Sequence, residues 1–288
     1  MKEYLKLMRV NHYLKNFLIF VPAFFAGVFF EITVLVKLIL GFIALSFIAS
    51  TVYIINDIKD VEKDRKHEIK KNRPIASGTI SRISAILVAG ILTVVSQIIV
   101  IFLKGSVFSS ENLVLIAYLA INIAYSNGLK NKPILDVMIL ALGFVLRVIL
   151  GSLISGCMIS QWLCLTIMMF SLYMGLGKRR NEIRKVKNEN TRNVLKYYTE
   201  DFLNGSMLMT KTLGLVFYAL WSAFIVSNSA YMIWTVPLVM AILMKYELNI
   251  ANDNFGDPVD VLLSDKSLII LVTAYLIIIL IYILCKLV

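Results

Sequence analysis

The chain has 288 residues, 59% of them apolar, and its 29 basic and 18 acidic side chains give a formal net charge of +11. This composition excludes an ordinary soluble domain and predicts a polytopic membrane protein. The positive charge lies between apolar runs, so it fits a membrane face or a phosphorylated substrate and not a nucleic acid. The three cysteines are isolated in apolar runs, without the spacing of a disulfide framework or a zinc site.

Nine apolar runs follow a basic N-terminal segment, which is expected to form a short interfacial helix and carries no removable signal peptide. The predicted membrane spans are residues 17–36, 38–55, 80–103, 113–125, 134–154, 159–176, 207–226, 231–244 and 268–284. Ser77 or Thr79 is expected to cap the third span. The predicted fold is therefore a single all-α transmembrane domain over residues 1–288, without a soluble second domain.

The Lys and Arg residues outside the spans are strongly asymmetric. Nine spans put the N-terminus and the loops after even-numbered spans on one side, and that side holds nearly all of these residues. The opposite loops hold only Lys37, Lys104 and Lys286. The positive-inside rule then places the N-terminus and the polar loops in the cytoplasm, with the protein in the inner cell membrane.

The most charged stretch, NDIKDVEKDRKHEIKKNRPIASG, begins at Asn56 directly after the second span. Asn56, Asp60 and Asp64 are spaced i, i+4 and i+8, so they share one face if the helix continues past the span. Oxygen ligands at this spacing can hold Mg²⁺, which fills its octahedron with water and phosphate oxygens. The basic residues that follow, Arg73 among them, can bind the same phosphates. The alternative is a solvated loop whose Lys and Arg only set the topology.

Two further polar features follow in the chain, one in the turn between the fourth and fifth spans and one inside the fifth span. The stretch YSNGLKNKPILD runs from Tyr125 to Asp136, and its Lys130 can contact a phosphate as a point charge. The alternative is a topology-setting loop with an acid at a helix N-terminus, where it favours the helix dipole. Arg147 lies inside the fifth span, where a charge is expensive and is expected to face a cavity or a partner. A snorkelling or structurally paired arginine is the alternative there.

Two basic segments complete the candidate set. In GKRRNEIRK, Lys178 and Arg179 lie nearest the membrane and are assigned to substrate. The outer residues Arg184, Lys185 and Lys187 are assigned to the anionic leaflet. Lys15 and Asn16 precede the first span and can line the same cytoplasmic mouth, or they can serve as anchors of the interfacial helix.

With these residues the sequence resembles the UbiA superfamily of intramembrane prenyltransferases. The charged stretch is similar to the first Asp-rich motif of that family, NDxxDxxxD, in the DRxH…RPIASG form typical of its polyprenyl-phosphate phosphoribosyltransferase branch. The stretches RVNHYLKN, YSNGLKNKPILDV, GFVLRVILG, GLGKRRNE and GDPVDVLLSD agree with that branch. The resemblance therefore runs from Arg9 to Asp265, and it implies an all-α bundle with a cavity facing the cytoplasm.

The sequence also departs from the family pattern. Val10 stands where Pro is usual, Tyr13 where Trp is usual, and Glu68 where Pro is usual. The second Asp-rich motif of aromatic prenyltransferases, DxxxD, is reduced to a DxxD at Asp257 and Asp260. This weakens an aromatic prenyltransferase interpretation and favours the phosphoribosyl branch.

The resemblance implies that 5-phosphoribosyl diphosphate and polyprenyl phosphate give polyprenyl-phosphoryl-5-phosphoribose and diphosphate, with Mg²⁺ as cofactor. Catalysis would be electrostatic, without a covalent nucleophile of the protein. The implied metal ligands are Asn56, Asp57, Asp60 and Asp64, the three acids being also catalytic. The implied substrate-binding residues are Lys15, Asn16, Arg73, Tyr125, Lys130, Arg147, Lys178 and Arg179. His67 is expected to be a hydrogen-bonded loop histidine and not a base, and a second metal at Asp136, Asp257 or Asp260 stays open.

Two other functions were weighed against this one. A UbiA-type prenyltransferase would move an isoprenoid from its diphosphate to an aromatic acceptor and should show a second DxxxD. A transporter or flippase would fit the intramembrane Arg147, but the acidic motif is not repeated in the second half. A cell-wall or surface-glycan pentose donor is the product that the family leads us to expect. The prenyl chain length, the downstream pathway and the formation of a homo-oligomer stay open.

Overall fold

A computed structural model describes residues 2–67, 70–185, 193–224, 231–252, 261–262 and 264–287 of the chain. These residues form helices joined by turns and short loops, with no strand among them, which confirms the predicted all-α class. The chain divides into two compact units, Met1–Lys130 with Leu146–Met158 and Asn131–Val145 with Ile159–Val288. The expectation of a single domain over residues 1–288 stays a prediction.

The helices follow one another with short connections. The first unit contains α1 (Lys2–Met8), a 3-10 helix (Val10–Phe20), α2 (Val21–Ala26), α3 (Ile32–Lys59), α4 (Val61–Arg65), a 3-10 turn (Lys70–Asn72), α5 (Arg82–Lys104), α6 (Ser110–Ser126) and a 3-10 turn (Leu129–Asn131). Helix α7 (Leu135–Ser155) belongs by sequence partly to each unit. The second unit adds α8 (Gln161–Lys185), a 3-10 helix (Asn193–Tyr197), α9 (Glu200–Phe224), a 3-10 turn (Met232–Thr235), α10 (Val236–Asn252) and α11 (Lys266–Leu287).

The first predicted span, residues 17–36, is wrong as a single helix. Helix α2 ends at Gly27, whose φ of +84° is left-handed and closes the helix. Helix α3 then begins after Glu31 and runs without a break through Lys37. It therefore joins the end of the first predicted span to the second. Hydropathy alone did not reveal this break, because the residues on both sides of Gly27 are apolar.

The cap of the third predicted span is also different from the expected one. The hydroxyl of Ser81 accepts a hydrogen bond from the backbone N–H of Ser84 at 3.0 Å and so caps α5. The hydroxyls of Ser77 and Thr79 instead donate to the carbonyl of Pro74, at 3.3 and 3.0 Å. They stabilise the turn before the helix and do not cap the helix itself.

Six helical segments in the described part of the chain are long and apolar enough to cross a membrane, which indicates a multi-pass membrane protein. They are Ile32–Lys59, Arg82–Lys104, Leu135–Ser155, Glu200–Phe224, Met232–Ala251 and Lys266–Leu284. The other three predicted spans correspond to residues 10–26, to the 17-residue helix α6 and to α8 with its charged end. Residues 10–26 have a contour length of about 31 Å, near the thickness of a bilayer core. Nine crossings therefore stay a prediction.

Two glycines set the packing of the first unit. A Cβ at Gly151 of α7 would overlap the backbone carbonyl of Ile19 in the N-terminal 3-10 helix. A Cβ at Gly41 of α3 would overlap the side chain of Ile154 in α7. Small residues let helix backbones approach closely in membrane proteins, where packing replaces the hydrophobic driving force between helices. These contacts fix the 3-10 helix and α3 against the second half of α7.

In the second unit, α8 and α9 run antiparallel. Gly214 of α9 packs against Phe170 near the start of α8, whereas Met207 packs against Gly177, two turns further along α8. A Cβ at Gly177 would also lie 3.1 Å from the Cδ1 of Ile250 in α10. The charged end of α8 therefore lies beside the beginning of α9 and the end of α10.

Candidate active site

The Asp-rich motif occupies a kinked but continuous helical path. Helix α3 ends at Lys59, and α4 begins after Asp60, whose φ and ψ are −90° and 7°. The backbone N–H of Asp60 still donates to the carbonyl of Asn56 at 2.9 Å, and that of Asp64 to the carbonyl of Asp60 at 2.8 Å. The helical hydrogen-bond pattern thus passes through the kink. The expectation that the helix continues past the second span is confirmed.

Two carboxylates of this motif are buried and share one cation. Asp57 and Asp64 expose only 3% and 4% of their surface. The Nη1 atom of Arg73 donates to Oδ1 of Asp57 at 3.0 Å and to Oδ2 of Asp64 at 2.7 Å. Arg9 adds a second cation, with its Nη2 2.5 Å from Oδ1 of Asp57. Buried carboxylates require such partners, because an unpaired buried charge is strongly destabilising.

The third carboxylate is held by the loop after α6. The Nζ atom of Lys130 donates to both oxygens of Asp60, at 2.9 and 2.7 Å. Both side chains are partly exposed, 18% for the lysine and 25% for the acid. Tyr125, near the end of α6, is buried. The structure therefore brings the YSNGLKNKP stretch to the Asp-rich motif, although 70 residues separate the two partners.

The donor set of this motif suits Mg²⁺ without forming a closed metal site. The Oδ1 atom of Asn56 is buried and accepts no hydrogen bond from the described residues. No group of three His, Cys, Asp or Glu side chains in the described part of the chain is arranged to hold a metal. Magnesium in phosphate-transfer sites takes one or two carboxylates and completes its shell with substrate phosphates and water. The residues present fit that kind of site, and not a cage built of protein ligands alone.

Arg147 belongs to a buried polar network in the first unit. Its Nε atom donates to Oδ1 of Asn16 at 2.8 Å, and its Nη2 donates to the hydroxyl of Tyr118 at 2.9 Å. The Nδ2 atom of Asn16 donates in turn to the hydroxyl of Ser46 at 3.0 Å. Arg147 and Asn16 expose 5% and 1% of their surface. This geometry favours the structurally paired arginine that sequence reasoning kept as the alternative to substrate binding.

A second buried network surrounds Asp136 in the second unit. Its carboxylate accepts from Nε of Arg179 at 2.6 Å and from the hydroxyl of Tyr198 at 2.5 Å. Arg179 is 1% exposed and also donates to Glu182 at 2.9 Å. Burial and the bond to Asp136 raise the pKa of Tyr198, so the phenol stays a donor. The structure thus encloses Arg179 between two carboxylates, and a contact of this arginine with a phosphate stays a prediction.

Backbone geometry supports this second network. Ile134 has a φ of +68°, which is unusual for a β-branched residue, and its N–H donates to the hydroxyl of Tyr198 at 2.6 Å. Sequence reasoning missed Tyr198 and Tyr118, because only distant packing brings these tyrosines to their charged partners.

The remaining candidates lie in several environments. Lys15 and Lys178 are half-buried. The backbone N–H of Lys70 approaches Nδ1 of His67 at 3.5 Å, which fits a loop histidine. Nζ of Lys245 lies 2.8 Å from Oδ2 of Asp265, and this hydrogen bond holds the pKa of Asp265 below its ordinary value. The two other candidate acids of the last loop, Asp257 and Asp260, lie outside the described residues.

The comparisons with known sequences agree on one family. The model of the UbiA prenyltransferase family matches residues 17–257 of the chain. The chain is 32% identical over 282 residues to a decaprenyl-phosphate phosphoribosyltransferase of Mycobacterium tuberculosis, covering 94% of this chain and 91% of that protein. It is 31% identical over 290 residues to the protein of the same name from Mycolicibacterium smegmatis, covering 94% and 89%.

Solved structures show the same fold at lower sequence identity. A UbiA homolog from Archaeoglobus fulgidus, solved with GPP and Mg²⁺, superposes with a TM-score of 0.70 at 20% identity, covering 98% of this chain and 96% of that one. A digeranylgeranylglyceryl phosphate synthase superposes with a TM-score of 0.69 at 18% identity, covering 98% and 97%. Both structural similarities concern the fold, that is, the arrangement of the helices, and nothing else.

Proposed function

Since the chain belongs to the UbiA prenyltransferase family, we propose that it is a Mg²⁺-dependent membrane transferase. It moves 5-phosphoribose from phosphoribosyl diphosphate to a polyprenyl phosphate and releases diphosphate. The observation that carries this proposal is the identity of 31–32% over 94% of the chain to several decaprenyl-phosphate phosphoribosyltransferases. The product would serve as a pentose donor for a cell wall or surface glycan.

The chemistry needs charge stabilisation more than it needs a base. The attacking oxygen belongs to the lipid phosphate, which is already anionic, so the protein need not remove a proton. The leaving diphosphate develops negative charge, which preorganised cations stabilise in a dry site. Arg9, Arg73 and Lys130 bond to the carboxylates of the Asp-rich motif, and Arg73 and Lys130 are the two assigned to the phosphates. Asn56, Asp57, Asp60 and Asp64 would hold Mg²⁺, whose contribution is to polarise the diphosphate and neutralise its charge.

The ion pairs of the motif suggest how the cations reach the phosphates. Arg73 now neutralises Asp57 and Asp64, and Lys130 neutralises Asp60. The carboxylates of the motif would hold the divalent ion, which would supply counter-charge to them and to the diphosphate. Arg73 and Lys130 would then be placed to donate to phosphate oxygens, which accept charge-assisted hydrogen bonds. Charge thus stays balanced in the loaded site as well as in the substrate-free one.

We further propose the membrane arrangement that the charge asymmetry implies. The chain would cross the inner membrane nine times, with the N-terminus, the Asp-rich motif and the YSNGLKNKP stretch at a cavity open to the cytoplasm. Soluble phosphoribosyl diphosphate would enter from that side. The lipid tail would lie along apolar helix surfaces in the bilayer. Lys15, Asn16, Tyr125 and Lys178 remain proposed substrate contacts, and Arg147 and Arg179 would support them through their buried networks.

A transfer assay with a matched pair of acid variants tests the proposal. Purified protein in detergent is incubated with ¹⁴C-labelled phosphoribosyl diphosphate and a polyprenyl phosphate, with and without Mg²⁺, and label is counted in the organic extract. We expect Mg²⁺-dependent lipid label that is lost in Asp60→Ala. Glu62→Ala is the control, because Glu62 lies on the same stretch but is exposed and paired with exposed arginines.

The same assay can reject the proposal. Absence of transfer across several polyprenyl chain lengths, with activity on a prenyl diphosphate and an aromatic acid, would move the function to aromatic prenyl transfer. Equal loss in Asp60→Ala and Glu62→Ala would show that the assay reports general damage to the stretch and not a site at Asp60.

A further inference from the structure

Three helices of the second unit meet in successive layers near the charged end of α8. In one layer, Tyr173 of α8 and Lys211 of α9 both bond to Glu247 of α10. One turn further along α8, Gly177 packs between Met207 and Ile250, which closes that layer with apolar contacts. The next layer belongs to Arg180 of α8 and Asn204 of α9.

Arg180 is buried without a counter-charge among the described residues. Its exposed fraction is 5%, and its Nη1 atom donates to Oδ1 of Asn204 at 2.9 Å. Its Nε and Nη2 atoms are fully buried and donate to no acceptor in the described part of the chain. Arginine stays charged in proteins, so this site encloses a full positive charge whose described hydrogen-bond partner is a neutral amide. Such a group is strongly destabilising in a protein interior unless an anion meets it.

The neighbouring arginines of the same helix show that this arrangement is particular to Arg180. Arg179 is equally buried but is held between Asp136 and Glu182. Arg184, one turn beyond Arg180, bonds to Glu200 at the start of α9. Among the described residues, the arginines on either side therefore meet carboxylates and the one between them meets a neutral acceptor. The two open N–H groups of Arg180 lie on one edge of the guanidinium, which matches the two oxygens of a phosphate.

We propose that Arg180, oriented by Asn204, is the binding site for a phosphate oxyanion in the second unit. The ligand is a phosphate monoester or diphosphate whose oxygens accept from Nε and Nη2. This group is either carried by a soluble sugar diphosphate or is the head of a polyprenyl phosphate. The assignment of the anion to a substrate rests on the function proposed above, whereas the anion site itself rests on the geometry of Arg180.

The test measures binding and not transfer, so that it stands apart from the proposed reaction. Full-length wild-type protein, Arg180→Gln and Arg180→Lys are titrated in detergent with inorganic diphosphate, with phosphoribosyl diphosphate and with a short polyprenyl phosphate. Arg184→Gln is the matched control, since it removes an arginine of the same helix that is half-exposed and already paired with a carboxylate. Thermal unfolding of each unliganded protein is recorded in parallel.

We expect Arg180→Gln to weaken binding about 10- to 100-fold for the probe that uses the site. Arg180→Lys should fall between, because a lysine keeps the charge but loses the two-pronged donor edge. Arg184→Gln should bind as the wild type does. A loss confined to the polyprenyl phosphate assigns the site to the lipid head, and a loss with the two soluble probes assigns it to the sugar diphosphate.

Three results would overturn the inference. In the first, the wild-type protein binds none of the probes. In the second, Arg180→Gln binds all of the probes with wild-type affinity and stability. In the third, Arg180→Gln keeps its affinity but unfolds at a lower temperature, as expected for a structural arginine. If Arg180→Gln does not fold, Arg180→Lys decides the question by the same criteria. A wild type that binds phosphate through Arg180 but transfers no phosphoribose would refute the proposed reaction and leave the site in place.

Discussion

Replacing Gly151 by Ala should loosen the first unit more than the size of a methyl group suggests. A Cβ at this position would lie 2.7 Å from the carbonyl carbon of Ile19 and closer still to the oxygen. Optimal carbon contacts are about 3.5–4.0 Å, so the N-terminal 3-10 helix must retreat from α7 by on the order of 1 Å. The atoms in the way belong to the backbone of Ile19, which cannot move aside as the end of a flexible side chain can. The hydrogen bond between Asn16 and Arg147 joins the same 3-10 helix and α7, one turn away. The retreat therefore lengthens that hydrogen bond as well.

The expected magnitude follows from two opposing effects. Overpacking costs about 1–3 kcal/mol, whereas Gly→Ala in a helix gains roughly 0.5–1 kcal/mol. The net effect of Gly151→Ala should be a destabilisation of about 1–2 kcal/mol. Gly90 of α5 has open space around its ideal Cβ position, so Gly90→Ala should be neutral or stabilising. Thermal unfolding in detergent, followed by far-UV circular dichroism, measures both variants.

The opposite signs make this pair informative. If Gly151→Ala unfolds at the wild-type temperature or above it, then α7 and the 3-10 helix do not approach as closely as described. If both variants lose stability equally, helix propensity in detergent and not the contact at Ile19 determines the result.

Three other predictions concern the polar sites. Lys130→Met should lower the rate of transfer by at least about tenfold, because it removes a charge-assisted contact worth roughly 1.5–3 kcal/mol. Lys132→Met is the control and should have little effect. Equal rates in the two variants would refute the role of Lys130. Tyr198→Phe should lower the unfolding temperature, because a buried carboxylate loses a donor, while Tyr197→Phe, at a position 60% exposed, should not. Chelation of divalent cations should abolish transfer reversibly, and transfer that survives chelation would exclude metal dependence.

The apolar runs predicted α5, α6, α7 and α11 to within three residues at each end, whereas α3, α8, α9 and α10 differ from their predicted spans by five residues or more at one end at least. Helices α5 and α7 begin and end close to residues 80–103 and 134–154, because polar turns bound these runs on both sides. The N-terminal segment was not predictable in the same way. Whether Gly27 adopts a positive φ depends on the local path of the chain, and a uniformly apolar sequence contains no signal for it.

The site was predictable in its composition but not in its pairing. The spacing of Asp60 and the resemblance around Lys130 led us to expect both at one site, and the structure joins them directly. Arg179 and Arg180 are adjacent and chemically identical, so the assignment of Arg179 to substrate rested only on its position nearest the membrane. Successive residues of a helix differ by about 100° in direction, which sends one to Asp136 and the other to Asn204. Only the positions of the neighbouring helices decide which arginine meets a carboxylate.

The cations at the Asp-rich motif also bear on how the protein matures. Arg9, Arg73 and Lys130 already balance the three carboxylates that would otherwise repel one another. Insertion into the bilayer and helix assembly can therefore finish before any magnesium is captured. Membranes prepared in a chelating buffer should hold intact protein that regains activity as soon as the ion is returned, because the proposed ion would take part in turnover and not in assembly.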